Sequence, residues 1–144
     1  MNRILKILIL IGLIAGRLHG QDCALGLGGT DPGQIMEVFE LDDDQKEQLQ
    51  HWVQALESEN TPLQKTLDSL LAIHPQETPE QLTALGRKFE NIKEKMVMNS
   101  LRYDQLLLGI FRPGQYRKYE ILCKQIGKLP LEPATPTVIK EKGN

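Results

Sequence analysis

Apolar side chains recur at alternating three- and four-residue intervals through much of the chain, a pattern typical of packed α-helices. The most regular run is Leu82, Leu85, Phe89, Ile92, Met96, Asn99, Tyr103, Leu106 and Ile110. Before it, Thr78-Pro79 and Gln81 predict a capping box. We therefore expect one helix from Pro79 to about Phe111, about 50 Å long at 1.5 Å per residue. Asn99, the polar member, is expected to fix the register or the partner.

A second run precedes this one, with Leu49, Leu56, Leu63 and Leu70 in strict seven-residue register. Pro62 lies inside it and would remove a backbone hydrogen bond. Because the apolar pattern keeps its phase across the proline, we favour one kinked helix that ends at His74-Pro75. A break at Asn60-Thr61 is the alternative.

Two shorter helices complete the prediction. Asp31-Pro32 is a typical helix start, and Arg112-Pro113 begins a last helix with the apolar stripe Tyr116, Tyr119, Cys123 and Ile126. The predicted fold is all-α, with about four helices and the two long ones antiparallel in a hairpin. The helical domain spans residues 31–128, between an irregular glycine-rich arm (21–30) and a disordered proline-rich tail (129–144).

Residues 1–20 have the profile of a secretory signal peptide, with the basic residues Arg3 and Lys6 followed by an apolar stretch. An uncleaved anchor is the alternative. We expect a periplasmic or secreted protein with no stable membrane insertion after cleavage. About 124 residues then remain, enough for one domain.

Charge is distributed unevenly along the chain. Without the leader, 14 basic residues face 19 acidic ones, so the net charge falls from −2 to about −5. This balance argues against nucleic acid as a partner, because nucleic-acid binding depends on neutralising phosphates. The second half of the chain is nevertheless basic. Its candidate binding face for acidic or unfolded partners is Arg87, Lys88, Lys95, Arg102, Arg117 and Lys118; a merely solvated helix face is the alternative.

Two cysteines, Cys23 and Cys123, are present in a chain that we expect to be exported. We favour an intramolecular disulfide, which would close a loop of about 100 residues. An intermolecular bridge and free thiols are the alternatives.

Three carboxylates, Asp42 to Asp44, precede the first long helix. They do not fit a calcium loop, because Lys46 occupies a ligand position and no glycine follows. We interpret Asp42 as the N-cap, with Gln45 as its capping-box partner. A metal site at Asp42, Asp44 and His51 is the less favoured alternative. No nucleophile–base spacing is visible, so we expect neither enzymatic activity nor a cofactor.

The two helix starts Leu41-Asp42-Asp43-Asp44-Gln45 and Phe111-Arg112-Pro113-Gly114-Gln115 are alike. An exported four-helix protein in which a Leu-Thr-x-x-Gln type motif opens two helices resembles the Spy/CpxP-like periplasmic family, over roughly residues 31–128. Leu41, Gln45, Phe111 and Gln115 occupy the matching positions. Asp42 and Arg112 replace the threonine, and Arg112 cannot cap as Asp42 does.

The resemblance implies a cradle-like antiparallel homodimer of long helices that binds unfolded or envelope proteins as a chaperone or envelope-stress adaptor. A metal-responsive periplasmic sensor and a structural secreted module are the alternative functions.

Overall fold

The computed structural model of the protein describes residues 22–135, and within this range the fold is all-α, as predicted. The helices are α1 (Pro32–Val38), α2 (Asp43–Ile73), α3 (Pro79–Gly109) and α4 (Pro113–Gln125). The predicted signal peptide, residues 1–20, lies outside the described residues. In the described part of the chain, no helix combines the length and the apolar character needed to cross a membrane.

The two long helices, α2 and α3, pack against each other as a hairpin. Each has 31 residues and is about 46 Å long at 1.5 Å per residue. Pro62 lies inside α2 without ending it, so one helix rather than two is confirmed. The backbone tolerates this proline because Pro62 and Ser58 are exposed, and water can reach the Ser58 carbonyl that loses its N–H partner.

Three polar contacts join the two long helices of the hairpin. The Asn99 side-chain amide donates to Asn60 Oδ1 at 3.0 Å. One residue away, Glu59 accepts from the Tyr103 hydroxyl at 2.7 Å and pairs with Arg102. Asn99 therefore makes a polar contact across the hairpin, as expected of a residue that fixes its register.

The hydrophobic core lies at the end of the hairpin that is remote from its loop. There α1, α4 and residues 22–30 pack around Leu49, Leu56, Leu107 and Leu108. Between Asn60 and Asn99, by contrast, the two buried residues are Leu67 and Leu85. The loop-side half of the hairpin is thus a two-helix projection.

Two residues predicted to be on buried stripes are exposed instead. Leu82 is 50% exposed because α2 ends at Ile73 and has no side chain to set against the first turn of α3. Ile126 is 63% exposed, since α4 ends at Gln125 and the chain turns at Gly127, whose φ is +68°.

The segment after α4 extends the domain beyond the predicted boundary at Lys128. The Cys23 N–H donates to the Leu129 carbonyl at 2.8 Å. The Tyr119 hydroxyl accepts from the Leu131 N–H at 2.8 Å, and Leu131 is buried. Residues 129–135 therefore pack on the domain, contrary to the predicted disorder, and residues 136–144 lie outside the described range.

Candidate functional site

The start of α2 is closed by the predicted capping box. Asp42 Oδ1 accepts from the Gln45 backbone N–H at 2.9 Å, and Gln45 Oε1 accepts from the Asp42 N–H at 3.1 Å. Asp43 and Asp44 follow in the first turn, where negative charge is favoured by the helix dipole. The interpretation of Asp42 and Gln45 as a cap is confirmed.

The start of α4 has half of the same arrangement. Gln115 Oε1 accepts from the Arg112 N–H at 2.8 Å. A guanidinium has donors only, so Arg112 cannot accept from the helix as Asp42 does. It instead forms an ion pair with Asp42 Oδ2. Asp42, in the first helix start, thereby neutralises Arg112, which occupies the equivalent position in the second.

The two glutamines join these helix starts reciprocally. Each side-chain amide donates to the Oε1 of the other, at 2.9 Å in both directions. Gln45 also donates to the Ile110 carbonyl at 2.8 Å, and Gln115 to the Phe39 carbonyl at 3.0 Å. Each glutamine therefore caps its own helix and holds the chain that leads into the other. We call Gln45 and Gln115 the glutamine pair.

Apolar contacts enclose the glutamine pair. Leu41 is buried, and the rings of Phe39 and Phe111 lie 4.9 Å apart between centroids. The sequence motif residues Leu41, Asp42, Gln45, Phe111 and Gln115 thus come together at one place in the fold. Their contacts are those of a structural junction.

The alternative metal set is arranged differently. Asp42 uses both carboxylate oxygens, for the cap and for Arg112. Asp44 and His51 are exposed, with two helical turns between them. Within residues 22–135, no group of three or more His, Cys, Asp or Glu side chains could hold an ion.

Asp104 on α3 is a buried polar residue that the sequence pattern did not single out. Its two carboxylate oxygens accept from the Gly26 N–H at 3.0 Å and the Leu27 N–H at 3.1 Å. Burial raises the pKa of Asp104 above its ordinary 3.8, and the hydrogen bonds from the arm oppose that rise. Gly26 has φ +76°, which glycine adopts without strain, and this turn presents both N–H groups to the carboxylate.

The disulfide fastens the same arm to α4. Cys23 and Cys123 are bonded to each other, and both are buried. The intramolecular pairing is confirmed. The Tyr119 hydroxyl adds a hydrogen bond to the Cys23 carbonyl at 2.6 Å, so residues 22–27 are held at both ends.

The six cations of the candidate binding face lie on two helices and differ in their surroundings. Arg102 pairs with Glu59, and Lys118 lies 3.5 Å from Glu40. Arg117 and Lys118 are on α4, beside the core, whereas the other four are on α3. Only Arg87, Lys88 and Lys95 lie on the projecting half of the hairpin.

That projecting half also exposes apolar side chains. Ile73 is 80% exposed, Leu71 44% and Leu82 50%, and Phe89 and Ile92 on α3 are only partly covered. The projection thus combines lysine and arginine with uncovered aliphatic side chains.

Comparisons of the chain with protein-family models, with curated proteins and with solved structures found no match. The structure shows an all-helical protein with an intramolecular disulfide.

Proposed function

We propose that the protein is a non-enzymatic binding protein of the Spy/CpxP type, a chaperone or envelope-stress adaptor for unfolded or partner proteins in the periplasm or outside the cell. The observation that carries the proposal is the exposed apolar and basic surface of the projecting hairpin, formed by Leu71, Ile73, Leu82, Arg87 and Lys88. Exposed apolar side chains grouped on one surface are typical of an interaction site, because contact with a partner removes them from water.

The construction of the core supports this proposal. The Cys23–Cys123 disulfide and the hydrogen bonds of the glutamine pair both lie at the end of the molecule that contains α1 and α4. The hairpin can then project with little tertiary support of its own, as a surface for unfolded chains requires. The disulfide also supports a location in an oxidising compartment.

The glutamine pair gives further support to the family resemblance. The two short motifs at Leu41–Gln45 and Phe111–Gln115 are 70 residues apart, yet their glutamines make equivalent contacts with each other. The two similar motifs therefore pack against each other in the fold, which supports the resemblance.

Aggregation of an unfolded, cysteine-free model protein in buffer without reductant tests the proposal, because the Cys23–Cys123 disulfide then stays intact. The purified protein is expected to suppress light scattering by the client when present at a small molar excess. Absence of suppression at any excess would contradict the chaperone function.

Two double variants test whether the projecting hairpin is responsible for the suppression. Ile73→Ser with Leu82→Ser removes aliphatic surface from the projecting hairpin and is expected to weaken suppression. Ile126→Ser with Leu129→Ser removes comparably exposed side chains at the opposite end and serves as the control. Equal loss in both variants would show that general hydrophobicity, and not the hairpin, is responsible.

The oligomeric state is a separate part of the proposal. A cradle-like antiparallel homodimer is what the resemblance implies, and sedimentation equilibrium at micromolar concentration measures it directly. A mass of one chain at all concentrations would remove the dimer from the proposal.

A further inference from the structure

One side of the projecting hairpin contains lysines that have no acidic counterpart on the opposite helix. The register follows from the contact between Asn60 and Asn99. Beside it, Glu59 of α2 pairs with Arg102 of α3. In an antiparallel helix pair this flanking relationship repeats every seven residues.

Continuing that register towards the loop places Thr66 across from Lys95, and Ile73 across from Lys88. Neither Thr66 nor Ile73 can neutralise a lysine. Of the ion pairs formed within residues 22–135, none involves Lys88 or Lys95. Two cations about 10 Å apart along the helix, at 1.5 Å per residue, are therefore available to an external carboxylate.

An apolar groove runs alongside these lysines. It is lined by Thr66, Leu70, Arg87, Lys88, Asn91 and Ile92. Leu70 and Ile92 are partly exposed at its floor, and Ile73 extends the apolar surface at its loop end. The groove thus has aliphatic side chains along its length and positive charge on its α3 side.

We propose that this groove binds an acidic amphipathic helix of a partner protein. The bound helix would place aliphatic side chains on Leu70 and Ile92, and carboxylates seven residues apart opposite Lys88 and Lys95. It would lie on the hairpin as a third helix, in the way that amphipathic helices occupy apolar grooves. The inference rests on the proposed function, because it names the kind of segment that the hairpin would recognise.

Charge complementarity favours a protein segment over an anionic membrane. Glu77, Glu80 and Asp68 are exposed near the end of the hairpin, where they would approach the head groups and be repelled. A helix lying along the groove avoids these carboxylates and still meets both lysines.

Binding of fluorescent synthetic peptides to the full protein tests the assignment. One amphipathic helical peptide carries glutamate every seventh residue beside a leucine stripe, and a second carries lysine at the same positions. Fluorescence anisotropy is expected to show binding of the glutamate peptide and much weaker binding of the lysine peptide. Lys88→Glu with Lys95→Glu should weaken the glutamate peptide about tenfold or more.

The matched control is Arg117→Glu with Lys124→Glu. It makes the same charge change on exposed residues of α4 with the same seven-residue spacing, and it should leave peptide affinity within about twofold, because these residues are remote from the groove. Circular dichroism verifies that both variants fold.

Three results would overturn the assignment: equal binding of the two peptides, equal loss in the control variant, or stronger binding to vesicles containing phosphatidylglycerol than to the glutamate peptide. The outcome is separable from that of the proposed function. If client aggregation is suppressed but the glutamate and lysine peptides bind equally, the chaperone function stands and the groove assignment fails. If the peptide binds as expected but no client is protected, the groove stands and the chaperone function fails.

Discussion

The glutamine pair should stabilise the fold through mutual interaction, and a double-mutant cycle can measure that interaction. Gln45 takes part in hydrogen bonds with Asp42, Ile110 and Gln115. Replacing it with alanine leaves the partly buried Ile110 carbonyl and the Gln115 amide short of partners. At about 0.5–1.5 kcal/mol net for each hydrogen bond, Gln45→Ala should lower the free energy of unfolding by about 2–4 kcal/mol.

The second variant, Gln115→Ala, removes the other member of the pair and should cost a similar amount. Since both single variants already lose the two hydrogen bonds between the amides, the double variant should be less destabilised than the sum. We expect a coupling free energy of about 1–2 kcal/mol, within the range found for residues in contact.

Urea unfolding followed by circular dichroism at 222 nm provides these values. Gln50→Ala is the control, because Gln50 is an exposed glutamine on the same helix and should change stability by no more than about 0.5 kcal/mol. Additive effects of Gln45→Ala and Gln115→Ala, with coupling indistinguishable from zero, would refute the reasoning.

Three other perturbations have defined outcomes. Reduction of the Cys23–Cys123 disulfide should lower the free energy of unfolding by about 4–5 kcal/mol on the chain-entropy model, as measured by urea unfolding with and without dithiothreitol; an unchanged midpoint would contradict it. The raised pKa of Asp104 means that the folded state holds this proton more tightly than the unfolded chain, so stability relative to Asp104→Asn should fall as pH rises from about 4 through the raised pKa. A difference that grows with pH in unfolding titrations would show the opposite sign. Asn99→Ala should cost about 1 kcal/mol by leaving Asn60 without its partner, and an Asn60→Ala background should abolish most of that cost in the same assay.

Local signals in the sequence were sufficient to predict the helices. Thr78 and Gln81 mark the start of α3, where both halves of a capping box are present. The unbroken seven-residue repeat correctly indicated that Pro62 lies within one helix. These features depend on residues within a few positions of one another, so the chain itself displays them.

Contacts between distant segments could not be predicted in the same way. Asp104 lies 78 residues from Gly26, and a carboxylate beside an apolar stripe looks like an ordinary exposed residue until the arm is placed. Leu131 is buried and donates its N–H to the Tyr119 hydroxyl, although it lies in a segment without periodicity. The glutamine pair is an intermediate case, because the two motifs were visible but nothing local showed that their side chains meet.

The residues of the predicted basic face differ in their surroundings for a related reason. Sequence proximity grouped Arg102 with Lys95, but their counterparts on α2 differ. Glu59 neutralises Arg102, whereas Thr66 cannot neutralise Lys95. Only the register of the hairpin separates the cations that are already paired from those available to a partner.

We propose that the projecting hairpin is the surface that contacts other proteins. Site-specific photo-crosslinking tests it most directly, with a photoreactive side chain placed at Ile73 in one protein and at Leu129 in another, both exposed positions. After mixing with an unfolded client, we expect efficient crosslinking from position 73 and little from position 129. Equal yields, or crosslinking from position 129 alone, would contradict it.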